Sequence, residues 1–179
     1  MMVSDKQHET IKRLLDESAS CPGDVVEVGC NEGSTSELLA EWINGSGRSL
    51  HLFDSFEGLP EESGYGGLMA AGQAVLEDRI ATKTGSPELP SFVHVYPGWF
   101  VDTIPSGLPD RIAFAFIDCD VFESMIDSVP EVEARLTGVM AIHDYTHDRW
   151  GAGVRRAVQS MCLKFEIEDG MAIVRGPGC

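Results

Sequence analysis

The chain has 179 residues, 43% of them hydrophobic and 23% charged, which is the composition of an ordinary globular domain. Its 29 acidic and 13 basic residues give a formal net charge of −16 at pH 7, which argues against nucleic acid or an anionic membrane surface as a partner. No apolar run approaches the roughly 20 residues that cross a bilayer. Residues 1–16 lack the apolar core of a secretory signal, so we expect a cytoplasmic protein.

The sequence predicts five strands that alternate with helices and then a hairpin, with no repeat or linker to divide them. In chain order the predicted elements are a helix over 4–19, a strand over 24–28, a helix over 34–43, a strand over 50–53, a helix over 68–82, strands over 92–96 and 112–117, a helix over 121–136, a strand over 139–142, a helix over 150–163, and hairpin strands over 165–168 and 171–174. Pro130 is expected to kink or split its helix. This order is typical of an α/β domain with a mostly parallel sheet and an antiparallel C-terminal hairpin. We expect one domain over 1–179, with residues 1–23 leading into it.

Five cysteines are present, at positions 21, 30, 119, 162 and 179, and no two of them form a C-x-x-C pair. An odd number without such pairs favours reduced thiols over a disulfide framework or a zinc knuckle.

The first predicted strand ends in a glycine turn, Gly29 to Gly33, which leads into a helix and would let a ligand approach backbone amides. A dinucleotide pyrophosphate requires glycine where Asn31 stands, and Glu27 before the turn would repel that anion. Asp54 ends the second strand and can accept hydrogen bonds from both hydroxyls of a ribose. These features favour S-adenosylmethionine over NAD. The alternative is that Glu27 and Asp54 are solvated acids at strand ends.

Two later strands end in side chains that can bind a metal. The run 112–117 is followed by Asp118 and Asp120, and the run 139–142 by His143 and Asp144. Open α/β sheets bind ligands at the carboxyl ends of their parallel strands. Carboxylates there suit Mg²⁺, which lowers the pKa of a bound hydroxyl so that a nearby carboxylate can take its proton. Two alternatives stay open: Asp120 could cap the following helix, and His143 could simply be hydrogen-bonded at the sheet edge.

Several stretches between residue 24 and residue 158 resemble the macrocin O-methyltransferase family in the same order along the chain. They are VVEVGCNEGSTS (25–36), LHLFDSFEGLPE (50–61), GWFVDTIP (98–105), FIDCDVFES (116–124), HDY (143–145) and WGAGVRRAV (150–158).

The resemblance implies a Rossmann-like class I methyltransferase fold that binds S-adenosylmethionine. The residues implied to bind this cofactor are Glu27, Gly29, Cys30, Asn31, Gly33, Ser34 and Thr35 on the methionine side, Asp54, Ser55 and Phe56 at the ribose and adenine, Gly98, Trp99 and Phe100 beside the adenine, and Asp118.

The resemblance also implies a Mg²⁺-dependent reaction. The first acid of the family's Asp-x-Asp motif binds the metal and the second is the general base, so Asp118 would be a ligand and Asp120 the base. The family has two consecutive acids at the end of the next strand, where this chain has His143 and Asp144. We therefore expect Asp118, His143 and Asp144 to bind the metal, with His143 as an alternative base. Because imidazole is a softer ligand, Mn²⁺ is an alternative to Mg²⁺.

These features predict a metal-dependent O-methyltransferase that acts on a small hydroxylated molecule, in particular a sugar moiety of a natural product. The alternatives are a catechol or phenolic acceptor, a catalytically idle S-adenosylmethionine-binding domain, and a nicotinamide-dependent oxidoreductase, which Asn31 and Glu27 disfavour. We expect no nucleic-acid or membrane partner, and a homo-oligomer is compatible with the sequence.

The residues that follow the His143-Asp144 pair receive weaker assignments. Tyr145 and Trp150 either wall the acceptor pocket or pack under the loop. His147 and Asp148 are expected in a solvated loop, and Arg155 and Arg156 on a solvated helix face.

Overall fold

The computed structural model describes residues 3–64, 66–68, 70–148 and 151–178. Its strands are β1 (Asp24–Val28), β2 (Leu50–Asp54), β3 (Val93–Pro97), β4 (Ile112–Ile117), β5 (Leu136–Ile142), β6 (Glu166–Glu168) and β7 (Met171–Arg175). Its α-helices are α1 (Asp5–Glu17), α2 (Ser36–Ile43), α3 (Gln73–Thr84), α4 (Phe100–Gly107), α5 (Phe122–Glu133) and α6 (Gly151–Ser160), and short 3₁₀ turns cover Ser18–Ser20 and Glu61–Ser63.

The strands form one seven-stranded sheet in the order β3-β2-β1-β4-β5-β7-β6. Strands β1 to β5 pair in parallel, whereas β7 runs antiparallel to both β5 and β6. The predicted α/β fold with an antiparallel C-terminal hairpin is therefore confirmed. The chain order reverses between β1 and β4, and a crevice opens at such a switch point beyond the carboxyl ends of the strands.

Helices cover both faces of the sheet. Ile11 of α1, Leu39 of α2 and Leu76 of α3 are fully buried on one face, while Ile104 of α4, Met125 of α5 and Val154 of α6 are buried on the other. Strands covered on both sides read as continuous apolar runs. For that reason the sequence predicts the limits of β1 and β4 correctly.

Several predicted elements differ from those of the structure, most clearly around Pro130, around Gly138 and at the start of α3. Helix α5 runs through Pro130 without splitting. Proline has no N–H, so the Ile126 carbonyl loses its helical hydrogen-bond donor. Because Ile126 and Pro130 lie on the exposed side of α5, water can solvate this carbonyl. Strand β5 begins at Leu136, three residues early. A Cβ on Gly138 would lie 2.0 Å from the Ala113 oxygen, so this glycine permits close strand pairing rather than ending a helix. Helix α3 begins at Gln73 rather than residue 68.

Two further expectations bear on the protein's environment. Cys30, Cys119 and Cys162 are free thiols, but Cys21 is disulfide-bonded, so the expectation of reduced thiols is wrong for Cys21. Among the described helices, none is both long and apolar enough to cross a membrane.

Candidate cofactor and metal site

A cleft lies at the carboxyl ends of β1, β2 and β4, where the strand order reverses. Its empty space, with open solvent included, is about 890 Å³. The cleft is lined by Val3, Glu27, Gly29, Cys30, Asn31, Ser34, Thr35, Asp54, Ser55, Gly58, Leu59, Pro60, Trp99, Phe100, Asp118, Cys119, Asp120 and Ser124. Four of these described lining residues are acids and none is lysine or arginine, which gives the cleft a negative potential.

The turn after β1 lies directly against the end of β4. Gly29 has φ +86°, and a Cβ at this position would lie 2.2 Å from the backbone oxygen of Asp118. Only glycine fits such a close approach with a positive φ. The glycine turn therefore brings the predicted cofactor residues into contact with the predicted metal residues.

Asp54 is hydrogen-bonded to the backbone of two turns, the one after β1 and the one after β2. One carboxylate oxygen, Oδ2, accepts hydrogen bonds from the amides of Cys30 (2.7 Å) and Asn31 (2.8 Å), and Oδ1 accepts one from the amide of Phe56 (2.7 Å). The side chain is 9% exposed. The prediction gave Asp54 the ribose alone; the structure gives it a second role, because both of its oxygens already hold the backbone of the site.

Glu27 is a buried acid in the wall of the cleft. It is 1% exposed, and its Oε2 has no hydrogen-bond partner among the described residues. Burial raises the pKa of Glu27 well above its usual value, although the Ser36 hydroxyl opposes the shift, and the charges of Asp118 and Asp54 add to it. The alternative of a solvated strand-end acid is wrong for Glu27.

Asp118, His143 and Asp144 form a compact cluster, each offering one ligand atom, with all three atoms within 4.8 Å of one another. The His143 Nδ1 lies 2.9 Å from Asp118 Oδ1 and 3.3 Å from Asp144 Oδ1. His143 Nε2 is buried and has no hydrogen-bond partner among the described residues. Burial alone would lower the pKa of His143, but the charges of Asp118 and Asp144 and the hydrogen bond to Asp118 outweigh it and raise the pKa.

Asp120 lines the cleft beside this cluster. Helix α5 begins after Val121, which acts as its N-cap without a side-chain hydrogen bond, so the alternative that Asp120 caps the helix is wrong. The Asp120 Oδ1 is buried and has no hydrogen-bond partner among the described residues. Burial, followed by the charges of Asp118 and Asp144, raises the pKa of Asp120 to about 7, which is suitable for a general base at neutral pH.

A backbone conformation that is unusual for residues other than glycine recurs around the cleft. Among the described residues, six non-glycines have a clearly positive φ, and four of them follow the ends of β1, β2, β4 and β5. These four are Asn31 (+48°), Phe56 (+56°), Asp120 (+61°) and Asp144 (+56°). Such conformations cost free energy and are typical of functional sites.

The predicted cofactor residues fall into two groups. Eleven of the fourteen line the cleft, while Gly33, Phe56 and Gly98 do not. A Cβ on Gly33 would lie 3.1 Å from the Leu76 side chain, so this glycine allows α3 to pack closely against the turn. Phe56 packs against the core, and its amide donates a hydrogen bond to Asp54.

Five lining residues outside the metal motif were missed. They are Val3, Gly58, Leu59, Pro60 and Ser124. Gly58 to Pro60 belong to the FDSFEGLP stretch, which could have suggested a wall of the cleft, whereas no local signal marks Val3 because it reaches the site only through the packing of α1.

The residues after Asp144 decide between two alternatives for Tyr145 and correct the expectation for Arg155. Tyr145 is 7% exposed and packs edge-on to Phe165, with ring centroids 4.9 Å apart, so it belongs to the core rather than to an open pocket. Arg155 is half-buried and donates a hydrogen bond to the Tyr145 carbonyl at 2.9 Å, so the solvated face predicted for it is wrong; Arg156 is exposed as predicted. The role predicted for Trp150 lies outside the described residues.

Sequence comparison relates the chain to known O-methyltransferases. A model of the family described as macrocin-O-methyltransferase (TylF) matches residues 2–176. The 8-demethyl-8-(2,3-dimethoxy-alpha-L-rhamnosyl)-tetracenomycin-C 4'-O-methyltransferase of Streptomyces olivaceus is 30% identical over 175 residues, covering 88% of this chain and 64% of that protein. The demethyldecarbamoylnovobiocin O-methyltransferase of Streptomyces niveus is 27% identical over 194 residues, covering 99% of this chain and 73% of that protein. The chain thus spans less than two thirds of the tetracenomycin relative's length.

Structural comparison supports the same fold. The solved structure of the O-methyltransferase NovP matches with a TM-score of 0.81 at 22% identity, over 98% of this chain and 81% of that chain. The class I methyltransferase fold expected from the sequence is therefore confirmed.

Proposed function

The chain belongs to the macrocin O-methyltransferase family, and on this premise we propose that it transfers a methyl group from S-adenosylmethionine to a hydroxyl of a small molecule. We further propose that the acceptor hydroxyl belongs to a sugar moiety of a natural product. The printed name of the tetracenomycin relative supports this acceptor, since it specifies O-methylation of a compound that carries a rhamnosyl group.

The acidic lining of the cleft is the observation that carries the choice of cofactor. Asp54 and Asp118 line it, and no lysine or arginine is found among its described lining residues. A dinucleotide would bring a pyrophosphate into this negative potential, whereas S-adenosylmethionine brings a cationic sulfonium and an ammonium group. The cleft therefore favours S-adenosylmethionine.

We propose that Asp118, His143 and Asp144 hold a divalent metal, Mg²⁺ or Mn²⁺. Their ligand atoms are close enough to share one ion, and two carboxylates beside an imidazole form a suitable donor set. The unpaired Nε2 of His143 supports a polar function for this buried residue. When bound, such an ion lowers the pKa of an acceptor hydroxyl.

The protein's own residues would then orient the acceptor and remove its proton. Asp120 is the better base of the two candidates, because it lines the cleft with a free carboxylate oxygen. His143 is 2% exposed and directs its Nδ1 at two carboxylates. In this proposal the acceptor oxygen gives its proton to Asp120 and takes the methyl group from the sulfonium, which leaves S-adenosylhomocysteine.

A methyl-transfer assay with and without a chelator tests this function. The chain is incubated with S-adenosylmethionine and a panel of glycosides and catechols, and products that have gained one methyl group are detected by mass spectrometry. We expect methylated glycoside, and a loss of about 10²-fold or more in rate with EDTA, because the hydroxyl proton would then be removed without help from a metal. Added Mg²⁺ should restore the rate, and EDTA already saturated with Mg²⁺ is the control.

Each other outcome changes a different part of the proposal. Product from catechols alone would replace the sugar acceptor by a phenolic one. A rate that EDTA leaves unchanged would remove Asp118, His143 and Asp144 from the chemistry. No methylated product from any hydroxyl compound would favour an idle S-adenosylmethionine-binding domain.

A further inference from the structure

The segment between β5 and α6 carries two of the three clustered metal-binding side chains, His143 and Asp144. Asp144 has φ +56°, which an aspartate adopts only where its surroundings hold it. Backbone hydrogen bonds close part of this segment: the His147 amide donates to the Asp144 oxygen at 3.0 Å, and the Gly151 amide to the His147 oxygen at 2.9 Å. Two further backbone bonds connect the segment to neighbouring strands, from the His143 amide to the Ile117 oxygen at 2.9 Å and from the Thr146 amide to the Gly170 oxygen at 3.1 Å. None of these four bonds connects the segment to α6 beyond its first residue, Gly151.

Arg155 provides such a connection from the first turns of α6. Its Nη1 donates a hydrogen bond to the Tyr145 carbonyl at 2.9 Å and a longer one to the His147 carbonyl at 3.4 Å. Both carbonyls lie within three residues of Asp144. A guanidinium is suited to this task, because it is planar, always charged, and able to serve two acceptors from one position.

Gly151 makes this contact possible. A Cβ at Gly151 would lie 2.6 Å from Arg155 Nη1 and 2.6 Å from the Asp144 oxygen. No larger side chain could stand between the guanidinium and the loop. The glycine and the arginine, four residues apart on one side of α6, therefore act as a pair.

We propose that Arg155 is a positioning residue that holds the β5–α6 segment in the conformation in which His143 and Asp144 meet Asp118. The inference rests on the proposed function in so far as these three side chains bind a metal. Arg155 is not among the three clustered side chains or the residues that line the cleft. It acts through its hydrogen bonds to the backbone carbonyls of Tyr145 and His147.

Arg156 offers a matched control on the same helix. It carries the same charge, is exposed, and lies over the ring of Phe122 with its guanidinium carbon 3.7 Å from the ring centroid. Changing it removes one positive charge near the site but none of the hydrogen bonds to the β5–α6 segment. Comparing the two arginines therefore separates positioning from a general electrostatic effect.

The test uses the full chain and the variants Arg155→Met, Arg155→Lys and Arg156→Met. Hydrogen–deuterium exchange reports the protection of amides in 143–148, and calorimetric titration with Mn²⁺ reports metal affinity in the presence of S-adenosylhomocysteine. We expect Arg155→Met to speed exchange in this segment by about tenfold or more, as for the loss of a charge-assisted hydrogen bond. It should weaken Mn²⁺ binding by about 10- to 100-fold, as is typical for groups that orient metal ligands.

Arg155→Lys should fall between Arg155→Met and wild type in both measurements, and Arg156→Met should match wild type. The inference is overturned if Arg155→Met and Arg156→Met behave alike, or if faster exchange leaves Mn²⁺ affinity unchanged. If Arg155→Met fails to fold, Arg155→Lys decides, since wild-type values for it would contradict the inference.

A different result would count against the proposed metal rather than against Arg155. Wild-type protein that binds no Mn²⁺ removes the ion from the proposed function. In that case the exchange comparison alone decides whether Arg155 holds the segment: faster exchange in Arg155→Met supports this role, and unchanged exchange overturns it.

Discussion

Replacing Asp120 by asparagine is expected to lower the rate of methyl transfer by about 10²- to 10⁴-fold, the usual contribution of a positioned general base. The carboxylate of Asp120 lines the cleft, and burial raises its pKa to about 7. Asparagine has the same shape but cannot take a proton. Asparagine also tolerates the positive φ of +61° at this position, so the backbone conformation should not change.

The expected loss should appear in kcat and not in cofactor binding. Affinity for S-adenosylhomocysteine, measured by calorimetry, should stay at the wild-type value, because Asp120 is proposed to act on the acceptor hydroxyl rather than on the cofactor. Glu123→Gln is the matched control, since Glu123 is an exposed acid in the first turn of α5 and should be neutral. Near-normal turnover of Asp120→Asn would show that another group removes the proton, with His143 the next candidate.

Replacing Asp54 by asparagine is expected to weaken both the fold and the cofactor site. Its two oxygens accept three backbone amides, from Cys30, Asn31 and Phe56. An asparagine keeps one acceptor oxygen and turns an NH₂ group toward at least one of these donors. Because a hydrogen bond to a charged group contributes about 1.5–3 kcal/mol, we expect a loss of roughly 2–4 kcal/mol in the free energy of unfolding.

The cofactor site should suffer more than this stability loss alone would suggest. Asn31 and Phe56 both have positive φ, at +48° and +56°, and Asp54 holds the amides of both. Urea unfolding and titration with S-adenosylhomocysteine measure the two effects separately. The exposed acid Glu57 lies three residues on, so Glu57→Gln is the control for loss of charge. Wild-type stability in Asp54→Asn would show that the three amide contacts are dispensable.

The mostly parallel sheet and the place of the site could be predicted because both follow from simple patterns. The run of β4 is wholly apolar and β1 is rich in valine, and the two strands are followed directly by Asp118 and Gly29. Parallel strands bring their carboxyl ends to one edge. The sequence therefore predicts that Asp118 and His143 lie at the same edge of the sheet.

Other features depend on how distant segments meet, and the sequence carries no local signal for them. The hydrogen bonds of Asp54 to the amides of Cys30 and Asn31 arise because the turn after β1 passes its carboxylate. Val3 reaches the cleft only through the packing of α1. Whether Asp120 caps α5 is decided by backbone angles that a periodic pattern does not encode. The solvated position predicted for Arg155 is wrong because its acceptors are backbone carbonyls of a loop, which no residue type in the sequence marks.

His143 is the main departure from the pattern of consecutive acids that the family resemblance implies. An imidazole in place of a carboxylate removes one negative charge from the cluster, which reduces attraction for a hard cation such as Mg²⁺ and improves the match to Mn²⁺. The chain keeps its cluster compact all the same, with Nδ1 within 3.3 Å of both neighbouring carboxylates. For the proposed metal site, we therefore expect the preferred metal to be the property in which this chain differs most from its relatives.

Calorimetric titration of the chain with S-adenosylhomocysteine and, separately, with NADH tests the central claim most directly. The claim is that the acidic cleft at the ends of β1, β2 and β4 is built for the methyl donor. We expect S-adenosylhomocysteine to bind saturably at one site per chain, with Asp54→Asn weakening it, and NADH to give no binding heat. Saturable binding of NADH together with no binding of S-adenosylhomocysteine would contradict the account.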